Sequence, residues 1–223
     1  MSKARIIEIF SSIQGEGPYA GQPQSFVRFY GCNLACRFCD EKKKTRFSEY
    51  SASQVMRRLD KEGVKTVSLT GGEPLLRVDF LKELLPRLKK KGFQVYLETN
   101  GTLKNNLLEI LDFVDIISMD FKLPSSTGAG QFWKEHEEFL KKAAGKDVFV
   151  KAVVTKDTIL SDIKKAVSII KGVDSGIFFI IQPVTLKGRI QGIGLARIFL
   201  KEALSKLKNV RVMPQLHKIL GVR

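Results

Sequence analysis

Three cysteines, Cys32, Cys36 and Cys39, fall close together and are the only ones in the chain. They spell C-x3-C-x2-C, which puts three thiolates on one tight loop. Such a loop can hold three irons of a cubane cluster and leave the fourth iron without a protein ligand. A ferredoxin-type cluster draws on four cysteines, and a closed structural zinc site on four ligands. His136 and His217 are the only histidines, so a Cys3His zinc site is the alternative reading. An open iron differs in kind, because it invites a small-molecule ligand and therefore chemistry. Gly31, just before the first cysteine, lets the backbone turn sharply there. An odd, clustered set of cysteines also argues against a disulfide framework.

Other polar strings stand where strands are predicted to end. Strands are predicted at Ser25 to Tyr30, Thr66 to Thr70, Gln94 to Thr99, Val114 to Met119, Val148 to Thr155, Phe178 to Gln182 and Val210 to Met213, after a first strand-like segment near the amino terminus. Helical patterns lie between them, near Ala52–Glu62, Asp79–Lys91, Leu103–Leu111, Gln131–Ala144, Thr158–Lys171 and Leu195–Leu207. This alternation predicts an α/β protein with parallel strands covered by helices, as an open doubly wound sheet or an incomplete barrel. Thr70-Gly71-Gly72-Glu73, Glu98-Thr99-Asn100, Ser118-Met119-Asp120 and Gln182-Pro183 then share the carboxyl edge of the sheet. In parallel α/β architectures active sites are built at that edge. Residues 1–223 are expected to form one domain. Leu123 to Gly130 is expected to be a flexible surface loop, and Trp133 a packing anchor.

Lys and Arg number 38 against 23 Asp and Glu, a formal net charge of +15. The basic residues are scattered, as at Lys89-Lys90-Lys91 and Lys164-Lys165, without exposed aromatics interleaved. That pattern fits a solvated surface with some steering of anionic small molecules better than a nucleic-acid site. The amino terminus has no signal-peptide pattern, and no apolar run approaches the ~20 residues that span a bilayer. A cytoplasmic protein without membrane contact is expected.

C-x3-C-x2-C with Phe38 before the third cysteine, followed after the next strand by Gly71-Gly72-Glu73-Pro74, resembles the radical S-adenosylmethionine (SAM) superfamily. Further strings narrow the resemblance: Gln14-Gly15-Glu16-Gly17 upstream of the cysteines, Glu98-Thr99-Asn100-Gly101, Ser118-Met119-Asp120-Phe121-Lys122, Gln182-Pro183 and Pro214-Gln215-Leu216-His217-Lys218. Together they span nearly the whole chain and resemble the 7-carboxy-7-deazaguanine synthases of queuosine-type deazapurine biosynthesis. The resemblance implies an incomplete (β/α) barrel of the radical SAM type. It also implies a lyase that turns 6-carboxy-5,6,7,8-tetrahydropterin into 7-carboxy-7-deazaguanine with loss of ammonia, using a [4Fe–4S] cluster, SAM and magnesium. An electron donor such as flavodoxin or ferredoxin, and a homodimer, come with it.

Carried onto this chain, the resemblance makes Cys32, Cys36 and Cys39 the cluster ligands. It assigns SAM contacts to Phe38, Cys39, Asp40, Gly72, Glu73, Ser118, Met119, Asp120, Gln182 and Pro183. Ile13, Gln14, Gly15, Glu16, Arg28, Thr70, Lys122 and His217 would meet the substrate. Arg28 is the candidate clamp for its carboxylate, because a guanidinium matches that geometry with two parallel hydrogen bonds. Lys122 is a second carboxylate partner or a solvated lysine, and Glu16 a pterin contact or part of a turn. No side chain is assigned as catalytic, since the cofactors carry the chemistry. The string departs from the family after the third cysteine, where Cys39-Asp40-Glu41 replaces C-D-T. Glu41 offers magnesium a hard oxygen in place of threonine, or is simply exposed. The rivals are another small radical SAM enzyme, such as a glycyl-radical activase, and a non-catalytic metal protein that binds RNA.

Overall fold

The computed structural model describes residues 2–39, 45–186 and 188–222. Nine strands form one sheet. β1 (Lys3–Ile13) lies antiparallel between β2 (Pro23–Phe29) and β3 (Ser48–Ser51). From β2 the sheet runs parallel through β4 (Thr66–Gly71), β5 (Gln94–Thr99), β6 (Ile116–Asp120), β7 (Asp147–Val154), β8 (Phe178–Pro183) and β11 (Val210–Val212). A small hairpin of β9 (Thr185–Leu186) and β10 (Arg189–Ile190) stands apart. β3 and β11 do not pair, so the barrel is incomplete.

The strands alternate as the pleat requires. One row of each, including Val67, Leu69, Val95, Leu97, Ile117, Val150 and Ile181, joins the main hydrophobic core. That core also takes the buried faces of α1 (Ala52–Glu62), α2 (Val78–Lys90), α5 (Trp133–Ala143), α6 (Leu160–Val173) and α7 (Ile193–Leu204). All the long helices therefore cover one face of the sheet, which selects the barrel over the doubly wound alternative. Each fully buried Leu, Ile or Phe, such as Leu84 or Phe139, contributes ~1.5–3 kcal/mol. The opposite rows face the concavity. At its base Tyr96, Ile116, Phe149 and Ile180 form a second apolar cluster, with Tyr19 edge-on to Tyr96. Above that plug the inward residues turn polar.

Local signals agree with the elements. Ser51 and Gln54 form a reciprocal capping box at the start of α1, and Gly63 ends it in the left-handed conformation. The expected surface loop at Leu123 to Gly130 needs correction. It holds a short helix, α4 (Pro124–Thr127), with Ser126 and Thr127 buried. Both hydroxyls donate to the Leu123 carbonyl, which hid a turn that polar composition alone reads as loop. The remaining short helices are α3 (Lys104–Leu108) and α8 (Leu216–Leu220). Trp133 packs against the core as expected. No described helix is long and apolar enough to cross a membrane.

Candidate active site

The cysteine loop leaves β2 through Gly31, whose φ of 92° only glycine adopts freely. Two segments pin it. Arg37 N–H donates to the Thr127 carbonyl at 2.8 Å, so α4 is a seat for this loop. On the other side the Asn100 amide nitrogen reaches Asn33 Oδ1 at 2.9 Å and Cys32 Sγ at 3.7 Å. Cys36 is buried, Cys39 half-buried and Cys32 exposed. Burial raises the Cys32 and Cys36 thiols above their ordinary range.

Glu73 sits beneath the loop, almost fully buried. It accepts from the Thr99 hydroxyl (2.9 Å), Asn100 N–H (2.8 Å) and Leu75 N–H (3.1 Å). Burial pushes its carboxyl up to about 7, against the lowering pull of those donors. Glu73 thus braces the Asn100 turn that reaches Cys32.

A cavity of about 800 Å³ opens above the barrel plug, within the range of small-molecule sites. Its lining includes all three cysteines, Phe38, Ile13, Gln14, Gly15, Glu16, Arg28, Thr70, Gly72, Asp120, Lys122, Gln182 and His217. Glu73, Ser118, Met119 and Pro183 lie outside that lining, and Met119 packs into the helix-side core. Asp40 and Glu41 lie outside the described residues. His136, the other histidine of the zinc alternative, is fully buried, stacked on Phe121 and bonded to the Asn100 carbonyl at 3.1 Å. Among the described residues no group of three cysteine, histidine or acidic side chains is gathered as for a single metal ion.

The charges of the cavity are arranged in pairs. Arg28 Nε meets Glu8 Oε1 at 2.9 Å, and its guanidinium lies 5.5 Å from the centre of the Phe10 ring. Lys122 meets Asp120 Oδ2 at 2.6 Å, so it is no solvated lysine. Glu16 pairs with Lys151 and accepts from the Gln215 amide at 2.8 Å. Glu98 collects the Thr70 hydroxyl (2.8 Å), the Ser68 hydroxyl (3.2 Å) and the Gln14 amide (3.0 Å). The carboxyl-terminal segment closes over this turn. Leu216 N–H donates to the Gly15 carbonyl at 2.9 Å, and a Cβ on Gly15 would fall 2.1 Å from the His217 ring. Burial lowers His217 below the usual imidazole range.

Lys151 and Glu8 are site residues that the sequence reading passed over, while Glu98 and Gln215 stood inside motif strings with no role assigned to them. Lys151 carried only an ambiguous signal, a single charge inside an apolar strand. Glu8 carried only strand alternation.

The donor set can be tested against a cluster and a nucleoside-bearing ligand. Three thiols of one loop border the cavity. Asp120 Oδ1 and Gln182 Oε1, on residues that line it, are buried without a partner in the protein. Buried polar atoms demand partners, and a ligand rich in amino and hydroxyl groups answers that demand. The residues fit.

A family model described as the radical SAM superfamily matches residues 26–170. The chain belongs to that superfamily, whose members carry a [4Fe–4S] cluster and SAM. It is 38% identical to a 7-carboxy-7-deazaguanine synthase of Geobacter sulfurreducens, with 99% of each chain covered. It is 33% identical to the synthase of Methanocaldococcus jannaschii, covering 97% of this chain and 99% of that one. Among solved structures, QueE from Escherichia coli superposes with a TM-score of 0.66 at 20% identity, covering 95% and 94% of the two chains, a likeness of fold. Within the superfamily, this chain is a member of the 7-carboxy-7-deazaguanine synthase family.

Proposed function

We propose that the protein converts 6-carboxy-5,6,7,8-tetrahydropterin to 7-carboxy-7-deazaguanine with loss of ammonia. The observation that carries this reading is one cavity shared by the cysteine loop, the Gln14-Gly15-Glu16-Gly17 turn and Arg28. Membership of the family supports it.

Cys32, Cys36 and Cys39 would hold the cluster. Phe38, Cys39, Asp40, Gly72, Glu73, Ser118 to Asp120, Gln182 and Pro183 would hold SAM, some through backbone groups. When bound, the reduced cluster and SAM supply one-electron cleavage and hydrogen-atom abstraction. The protein positions the pterin for that event. Arg28, oriented by Glu8, takes the substrate carboxylate. Ile13 to Glu16, Thr70, Lys122 and His217 surround the ring. The Thr70 hydroxyl donates its hydrogen bond to Glu98, so toward the ring it acts as an acceptor. α8 roofs the turn through Leu216 N–H and the Gly15 carbonyl. Magnesium belongs to the same proposal, with Glu41 as its ligand from this chain.

A one-electron donor such as flavodoxin or ferredoxin, and a cytoplasmic setting where that reductant is found, complete the reading. A homodimer is part of it too. Ile193, Ile198 and Leu204 on α7 and Ile190 on the hairpin are exposed apolar side chains that a second copy would cover. Light scattering on the purified protein tests that point.

The central experiment is anaerobic reconstitution with iron and sulfide, then reductant, SAM, magnesium and 6-carboxytetrahydropterin. Mass spectrometry follows 5′-deoxyadenosine and 7-carboxy-7-deazaguanine. Both are expected, and both should vanish in Cys36→Ala. Deoxyadenosine without deazaguanine would point to another small radical SAM activity.

A further inference from the structure

Lys151 stands in the middle of β7, 6% exposed, among Val148, Phe149, Val150 and Ala152. An ammonium buried there is costly unless it is paired. Its Nζ meets Glu16 Oε2 directly and lies 3.9 Å from Asp120 Oδ2. The other Glu16 oxygen takes the Gln215 amide, and Glu16 N–H donates to Gln14 Oε1 at 3.0 Å. Asp120 Oδ2 is shared with Lys122, while Oδ1 has no protein partner. One ammonium therefore ties the turn that frames the cavity to the end of β6 across the barrel.

We propose that Lys151 is a positioning residue that keeps the Glu16 carboxylate charged and aimed at the nitrogen-donor edge of the bound heterocycle. This deepens the pterin reading and rests on it. The edge in question is an aminopyrimidinone, whose neighbouring N–H groups suit a carboxylate acceptor.

The surroundings of Glu16 give Lys151 this task. Glu16 faces Lys151 from β7, Tyr96 below it and His217 from α8, while Asp120 from β6 and Glu98 from β5 stand beside the Lys151 ammonium. Burial works to raise the Glu16 carboxyl, and Lys151, with help from Gln215, overcomes it and holds the group well below the usual carboxylate range. Without the lysine, Glu16 would be left in a buried site without its cation. The three carboxylates that share that ammonium would lose it together, so Glu16 would take up a proton. It would then present an O–H where the substrate also presents donors.

The test is equilibrium binding of the fluorescent probe 6-carboxypterin to the reconstituted, SAM-loaded protein. Measurements run between about pH 6 and pH 7.5, below the titration of the pterin ring. Relative to wild type at each pH, Lys151→Met is expected to weaken binding about tenfold or more at the acid end, the scale of one charge-assisted hydrogen bond. The loss should shrink as pH rises and Glu16 ionises. Lys151→Arg should restore most of the affinity. Glu16→Gln should weaken binding without that added pH dependence. The double variant Lys151→Met, Glu16→Gln should bind as Glu16→Gln does, because the lysine then has nothing to hold.

Wild-type affinity in Lys151→Met, or losses that multiply in the double variant, would overturn the inference. If Lys151→Met fails to fold and the double variant folds and binds like Glu16→Gln, the pairing stands. Failure of both to fold would make Lys151 a residue of the fold instead. Absence of probe binding in wild type would overturn the pterin reading itself, which is a separate failure.

Discussion

Gly72 lies so close over Gly31 that a Cβ on Gly72 would fall 1.9 Å from the Gly31 carbonyl oxygen. The two glycines join the cysteine loop to the end of β4, and Glu73 N–H donates to that same carbonyl at 2.9 Å. The contact is backbone against backbone, so no side chain can give way. Gly72→Ala must move one of the two segments, at a cost of ~1–3 kcal/mol or more. The expected outcome is a folded protein of lower Tm whose iron and sulfide content after reconstitution falls well below that of wild type. Full cluster loading in Gly72→Ala would show that the glycine pair does not set the loop.

Arg28 should be sensitive to geometry as well as to charge. Its guanidinium is fixed by Glu8 at 2.9 Å and by the Phe10 ring. Arg28→Lys keeps the charge and loses the planar fork. Its kcat/KM for 6-carboxy-5,6,7,8-tetrahydropterin is expected to drop by about 10- to 100-fold, the equivalent of ~1.5–3 kcal/mol for a charged hydrogen bond, mainly through KM. Glu8→Gln should show a smaller rise in KM. Steady-state kinetics checks both, and an unchanged KM in Arg28→Lys would remove the residue from the clamp.

His136 makes the folded protein acid-sensitive. Burial lowers its imidazole to about 3, against the raising effect of its hydrogen bond to Asn100. At this site the unfolded chain therefore binds more protons than the folded one between about pH 6.5 and pH 3, so the histidine's contribution to stability falls as the pH drops through that window. Each unit of displacement is worth about 1.4 kcal/mol. His136→Phe keeps a ring against Phe121, which is stacked at 4.7 Å, and removes the titration. Its Tm should be lower near neutrality, for loss of the Asn100 contact, and fall less steeply between about pH 6.5 and pH 4.5. The Glu16 carboxyl, held below the usual carboxylate range by Lys151, contributes its own loss mostly below about pH 4.5. Glu73 and His217 also titrate in the upper window but are common to both proteins, so the difference between the two acid limbs there reports His136. Parallel acid limbs in the two proteins would contradict the assignment.

The sequence made the parallel strands legible because each buried strand is a short apolar run followed by turn residues. It also placed Thr70, Asp120 and Gln182 at one edge, since a parallel sheet brings strand ends together. The inward partners were harder to read. Lys151 sits opposite Asp120 only through the register of β6 with β7, and a single lysine in a strand reads equally well as a solvated side chain. Glu8 faces Arg28 through antiparallel pairing of β1 with β2, which no local signal fixes. The docking of Gln215 and His217 onto the Gly15 turn joins opposite ends of the chain. Spacing cannot reveal such a contact.

Gln14 shows how far a motif residue can serve the frame of its site. Its amide nitrogen donates to Gln24 Oε1 (3.2 Å) and Glu98 Oε1 (3.0 Å), and its Oε1 accepts Glu16 N–H (3.0 Å). Its backbone N–H and carbonyl are bonded to Gln22 and Gly21. Both amide protons are thus committed within the protein, and the side chain is 2% exposed. Gln14→Glu changes the shape little but replaces a donor to Glu98 with a second carboxylate in a buried site. Leaving a buried acceptor without its donor costs ~1–3 kcal/mol, and more beside a like charge. The variant is expected to lose several degrees of Tm and most of its turnover, with the Tm deficit narrowing at acid pH as the new carboxyl becomes neutral. Gln14→Met, which removes the donor without adding a charge, should lose Tm without that pH dependence. Equal and pH-independent losses in the two variants would mean that Glu98 does not rely on Gln14 as its donor.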